Sequence, residues 1–167
     1  STVARKTTSP ASLSFGGPNE RQDPPVPGAA PPVVAVVGAG FTGIELALEL
    51  ADRFEATGRE VVLTREPGGT PLGEAVRDLV LHGGEVAPWA EAALYAASRA
   101  QHVEHVIRPS HERGVVVVCD RYLDSSVAYQ GVARGLGLQA VLDLNLAVVG
   151  GLLPTRTILL ELAADEA

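Results

Sequence analysis

Sulfur is nearly missing from this chain, whose 167 residues include one cysteine and no methionine. A lone thiol excludes an internal disulfide and any cysteine-built zinc site, and it suits a reducing, cytoplasmic setting. Aromatic residues are scarce at 4%. The core must therefore be built from Val, Leu and Ala, which fits helices on a parallel sheet better than a β-sandwich. No apolar run approaches the ~18 residues a membrane helix requires, and the first residues lack a signal-peptide core. Basic residues are outnumbered, with 13 Lys and Arg against 20 Asp and Glu and a net charge of -7. That balance excludes nonspecific binding to nucleic acid or to an anionic membrane. An anionic ligand needs a local cluster, which Arg65, Arg77, Arg99, Arg121 and Arg134 could supply.

Texture changes at residue 33. Ser1 to Pro32 is rich in Pro, Gly, Ser and Thr and poor in large apolar residues, too polar to offset the entropy of ordering, so it reads as a flexible leader or linker. Beyond it, short apolar runs alternate with amphipathic segments. Val33–Val37, Glu60–Thr64, Val115–Cys119 and Thr157–Leu162 read as strands. Thr42 to about Thr57, Leu72–His82, Pro88 toward Ile107 with a stop at Pro109, and Leu138–Val149 with a Gly150-Gly151 stop read as helices. Alternation of this kind predicts an α/β fold of three layers, a parallel sheet with helices on both faces.

The most informative stretch is Val115–Gly137. Four valines and Cys119 can be buried on both faces only in a covered parallel sheet, and ligands of such sheets gather where the strands end. Asp120 and Arg121 stand at that end. A guanidinium fork grips phosphoryl oxygens and a carboxylate can hold a metal-bound water, so the pair suits a phosphate with its magnesium, or alternatively a simple helix cap.

Three blocks in series resemble the thymidylate kinase family. They are Arg65-Glu66-Pro67-Gly68-Gly69-Thr70-Pro71-Leu72-Gly73, Leu94-Tyr95-Ala96-Ala97-Ser98-Arg99-Ala100-Gln101-His102-Val103-Glu104, and Asp120-Arg121-Tyr122 followed by Asp124-Ser125-Ser126-Val127-Ala128-Tyr129-Gln130-Gly131 and Arg134-Gly135. The resemblance runs from about Glu60 to Glu161. It implies a P-loop kinase-like fold, ATP-dependent phosphorylation of dTMP with magnesium, and a homodimer paired through helices.

By the same resemblance, Tyr95 stacks on thymine and Arg99 binds the base. Ser126 and Gln130 meet the thymine edge, Tyr129 packs on the deoxyribose, and Glu66 belongs to the substrate-side loop. Arg121 holds the monophosphate with Arg77 as a helper, and Asp120 acts near magnesium, so Asp120 and Arg121 are the expected catalytic pair. Tyr95 and Arg99, and likewise Ser126 and Gln130, are one helical turn apart.

The glycine loop departs from the family. A G-x-x-x-x-G-K-[ST] loop cradles phosphates with backbone amides, a Lys and a magnesium-binding hydroxyl. Here Gly43 falls at the Lys position, with Ile44 and Glu45 at the hydroxyl positions. Gly38-Ala39-Gly40-Phe41-Thr42-Gly43 is instead a G-x-G-x-x-G, similar to the NAD-binding segment of flavoprotein dehydrogenases. Three readings stand side by side: a packing turn, a degenerate ATP phosphate loop at Gly38, Gly40 and Gly43, or a dinucleotide site with Glu66 near the ribose. The thymidylate kinase family also closes a basic lid over ATP after the last strand, and Ala167 falls short of it. The sequence thus predicts a kinase-like domain over residues 33–167, truncated at its carboxyl end, with a retained dTMP pocket and low or no turnover. A silent nucleotide-binding or assembly module is the alternative.

Overall fold

Strand valines set the architecture. Val33, Ala35 and Val117 point to one face of a sheet and Val34, Val36, Val116 and Val118 to the other, as the two-residue period of a strand requires. A computed structural model describes residues 2–5, 31–37 and 41–161. In chain order the elements are β1 (Thr2–Arg5), β2 (Val33–Val37), α1 (Phe41–Ala56), β3 (Val61–Arg65), α2 (Pro71–His82), α3 (Pro88–His102), α4 (Arg108–Glu112), β4 (Val116–Asp120), α5 (Leu123–Ser126), α6 (Leu138–Val149) and β5 (Arg156–Glu161). All strands pair in parallel in the order β1-β5-β2-β4-β3. The four expected strands are present, and Thr2–Arg5 adds a fifth at the edge, within the segment read as a leader.

Helices cover both faces, so the α/β three-layer expectation holds. Leu46 and Ala47 of α1 pack on Val34, Val36, Val116, Val118 and Ile158. On the opposite face Val103, Ile107, Tyr122, Leu123 and Val149 cover Val33, Ala35 and Val117. Val116 to Cys119 are at most 1% exposed, and each valine so buried contributes on the order of 1.5–2 kcal/mol. Among the described residues no helix is long and apolar enough to cross a membrane.

The helix from Pro88 does not stop at Pro109. It passes through a π-helical turn over Val103–Ile107 and continues as α4 to Glu112. The wider turn just upstream accommodates a residue that has no N–H to donate and whose ring crowds the preceding turn. A second π-helical turn, Val127–Ala133, extends α5 and carries Tyr129 and Gln130. Thr70 caps α2 by accepting the Gly73 N–H at 3.0 Å, with Pro71 in the first turn. Gly150 closes α6 in the left-handed region at φ 55°.

Candidate functional site

β2 lies between β4 and β5, and the carboxyl ends of β3 and β4 open beside it. Two backbone bonds lock those ends together. The Arg121 N–H donates to the Val36 carbonyl at 2.7 Å, and the Glu66 N–H to the Asp120 carbonyl at 2.9 Å. The charged residues that end β3 and β4 are thereby held on one rim of the sheet, where open α/β folds bind ligands.

A cleft of about 540 Å³ opens on this rim. Glu66, Arg77, Tyr95, Arg99, Arg121, Ser126, Tyr129 and Gln130 all line it, together with Glu91, Ser125 and Arg134. All eight residues that the sequence assigned to a dTMP pocket thus share one wall. They come from the loop after β3, from α2 and α3, and from the segment after β4.

The arginines separate into two kinds. Arg65 pairs with Glu74 at 3.0 Å, Arg99 with Glu66 at 2.7 Å and Arg134 with Glu91 at 2.7 Å. Arg77 and Arg121 have no carboxylate partner among the described residues. Arg77 donates to the Pro67 carbonyl at 3.1 Å, and the Arg121 guanidinium lies 5.3 Å from the Tyr129 ring centroid. Arg121 sits at φ 68°, in the left-handed region that a bulky residue adopts only at a cost and that recurs at ligand clamps. These two are the charges left over for an anion.

Arg99 and Glu66 are 2% and 3% exposed. Arg99 also donates to Ser126 Oγ at 3.1 Å and to Asn145 Oδ1, and its guanidinium lies over the Tyr122 ring at 5.6 Å. The other Glu66 oxygen is 3.0 Å from His102 Nδ1, and His102 Nε2 is 2.7 Å from Thr64 Oγ1. Glu66, the acid weighed for a ribose, is therefore engaged inside the protein. Cys119 stands within 4.8 Å of Glu66 and His102, yet both imidazole nitrogens are already hydrogen-bonded, so the trio does not suit a metal ion. Burial pushes the Cys119 thiol well up, away from the reactive thiolate.

Asp120 lines a neighbouring groove of about 340 Å³ with Thr64, Arg65, Gly69 and Glu74 on one side and Ile44 and Leu48 of α1 on the other. Burial raises its carboxyl above the ordinary value, while Arg121, Arg77 and Arg65 pull it down. Its carboxylate oxygens have no hydrogen bond or ion pair among the described residues. A half-buried carboxylate with open lone pairs at a strand end fits a divalent cation. Gly38 and Gly40 lie outside the described residues. Gly43 is buried in the first turn of α1, with Ile44 and Glu45 exposed beside it, so no side-chain cation stands at position 43 to meet a phosphate.

Four residues that organise the cleft, Glu91, His102, Asn145 and Ser125, stand outside the motif-based site. Glu91 sits four residues before Tyr95 on α3, a spacing that could have revealed it. His102, three residues after Arg99, could have been found in the same way. Nothing in the sequence pointed to Asn145. Ser125 Oγ is buried on the cleft wall without a partner among the described residues, whereas Ser126, the serine that the resemblance favoured, already accepts from Arg99.

A family model described as thymidylate kinase matches residues 44–167, a region that starts directly after the glycine turn. The chain is 58% identical over 114 residues to a thymidylate kinase of Clavibacter sepedonicus, covering 68% of this chain and 54% of that protein. It is 53% identical over 116 residues to one from a Synechococcus strain, covering 70% and 57%. It is 53% identical over 126 residues to one from Deinococcus radiodurans, covering 75% and 60%. The chain spans about half the length of the curated relatives it matches. With the match covering well over half of its residues, this chain belongs to the thymidylate kinase family.

Proposed function

We propose that the cleft binds dTMP and that this chain carries the acceptor side of the family reaction, the ATP-dependent phosphorylation of dTMP to dTDP. The observation that carries the reading is the pairing of two uncommitted cations, Arg77 and Arg121, with an aromatic and amide wall of Tyr95, Tyr129 and Gln130. The cations suit a monophosphate and the wall suits a base and its sugar. Arg121 takes the phosphate as a planar fork, and its contact with Tyr129 sets the distance between phosphate and deoxyribose. Tyr95 offers its ring to the thymine face, while Ser126, Gln130 and Arg99 border the base edge.

Asp120 is the residue we assign to a magnesium ion, which when bound would neutralise phosphoryl charge. Phosphoryl transfer depends on positioning and charge neutralisation, with little covalent work for side chains. Gly43, Ile44 and Glu45 withdraw the cation and the hydroxyl that the family's loop supplies, and removing one such group costs about 10²–10³ in rate. We therefore expect low or absent turnover, which makes the chain a nucleotide receptor with a weakened donor site. Leu79 of α2 and Trp89 of α3 are each about half exposed, and they support pairing as a homodimer through these helices. Light scattering would show twice the chain mass, and a monomer at micromolar concentration would refute the pairing.

A coupled assay with dTMP, ATP and magnesium tests the reading of the donor site. We expect turnover near background, with Gly43→Lys and Ile44→Thr together restoring ATP affinity. Ordinary turnover by the unaltered chain would contradict the weakened donor site.

A further inference from the structure

Glu91 was singled out by neither the motifs nor the family signature, yet it holds the wall of the cleft in one chemical orientation. Gln130 is 4% exposed, and its Nε2 donates to Glu91 Oε1 at 2.7 Å. Arg134 forks onto the same carboxylate, Nη2 to Oε2 at 2.7 Å and Nε to Oε1 at 3.5 Å, which fixes its rotamer. An amide has a donating end and an accepting end, whereas a carboxylate oxygen only accepts. Turning the Gln130 amide over would face its carbonyl oxygen with Glu91, two acceptors with no proton between them. The nitrogen must therefore stay on Glu91, and the carbonyl oxygen is the end left over. That oxygen has no protein partner among the described residues, and Gln130 lines the cleft.

We infer that Glu91 is a positioning residue for specificity: it commits Gln130 to present a hydrogen-bond acceptor, and so selects a pyrimidine that carries N3–H over one that does not. The inference rests on the reading of the cleft as a dTMP site. Thymine and uracil have an N–H at ring position 3 and can donate to the Gln130 oxygen. Cytosine has a bare nitrogen there, an acceptor that would meet an acceptor and leave both groups desolvated and unpaired. Sites built to hydrogen-bond a ligand group reject analogues that lack it strongly, because buried polar groups are then left without partners. The Ser126 hydroxyl accepts from Arg99 and still has both a proton and a lone pair to offer, so it does not enforce this choice. Gln130 does, because Glu91 takes away its freedom to flip.

Calorimetric titration of the full chain and of Glu91→Gln with dTMP and with dCMP tests this. The unaltered chain is expected to prefer dTMP by about 100-fold or more. In Glu91→Gln the amide oxygen stays on Arg134, so the new NH2 faces Gln130, whose oxygen turns to accept it and whose own NH2 can then donate to cytosine N3. The expected result is a gain in dCMP affinity and a loss in dTMP affinity, so that the preference falls about tenfold or more, a tenfold fall being about 1.4 kcal/mol. Glu91→Ala, which frees the Gln130 amide without offering a new partner, should also lower the preference. A merely structural role for Glu91 predicts something else: both ligands weaken in proportion and the preference stays intact. That result, with dTMP still bound by the unaltered chain, would overturn the inference and leave the dTMP site standing. Failure of the unaltered chain to bind either nucleotide would overturn both.

Discussion

Glu66 and Arg99 meet at 2.7 Å with both side chains almost wholly hidden from solvent. Glu66 follows β3 and Arg99 lies on α3, so the pair ties the substrate-side loop to the helix that carries Tyr95. Satisfied on all sides by His102, Ser126 and Asn145, it is a fixed corner of the cleft. Removing one partner leaves a buried charge uncompensated, which costs about 3–5 kcal/mol. Glu66→Ala should therefore lower the urea midpoint steeply, and Arg99→Met added to it should recover much of the loss. A Glu66→Ala chain as stable as the unaltered one would show that the pair is not structural.

Arg121 should act chiefly on the phosphate. A charged hydrogen bond contributes about 1.5–3 kcal/mol, so Arg121→Ala is expected to weaken dTMP binding by about 10- to 100-fold. Thymidine, which has no phosphate, should lose far less, only what the lost Arg121 contact with Tyr129 costs. A parallel loss for thymidine would place Arg121 at the base or in the scaffold instead.

Gly69 has no room for a side chain. Its φ is 74°, and an added Cβ would come within 2.7 Å of the His102 ring and of Thr64 Oγ1. Overpacking of this kind costs about 1–3 kcal/mol, with left-handed strain in addition. Gly69→Ala should lower thermal stability and disturb the Thr64, His102 and Glu66 bonds, whereas Gly84→Ala meets no atom within 4 Å and bears only the backbone strain. Thermal melts of the two variants should separate them.

Asp120 should make stability depend on pH. Burial raises its carboxyl above the ordinary value of 3.8. Over the window from 3.8 up to the raised value, the folded chain keeps a proton that the unfolded chain has released, so stability falls as the pH climbs through it. Above the raised value the loss from this group is complete. Asp120→Asn should consequently show a higher urea midpoint than the unaltered chain at pH 7, and the advantage should vanish below pH 3.8. Added magnesium should raise the midpoint of the unaltered chain and leave Asp120→Asn unmoved. Equal midpoints at both pH values would contradict the cost assigned to this carboxylate.

The sheet was legible because its signals are local. Val116 to Cys119 form an unbroken apolar run that only a doubly covered parallel strand can bury, and Val33–Val37 and Leu138–Val149 were placed to the residue. The helix stop at Pro109 was misread because a π-helical turn takes up the missing amide, and nothing in the spacing of Val103–Ile107 announces that turn. The β1 strand was missed because Thr2–Arg5 is too short and too polar to show a pattern, and its partner β5 lies at the other end of the chain. For the cleft, motif order brought Tyr95, Arg121 and Gln130 together. What it could not give was which charges are already paired. Arg99 and Arg121 look alike as residues, yet one is consumed by Glu66 and the other is uncommitted, a distinction made by packing across α3, α6 and the loop after β3.

Titration calorimetry of the chain with dTMP, set beside thymidine and NADH, decides whether the cleft is a monophosphate site. One dTMP site per chain is expected, with thymidine bound more weakly by the factor that the Arg77 and Arg121 contacts supply, and no heat with NADH. Binding of NADH with no response to dTMP would contradict that assignment and move the site to the glycine turn.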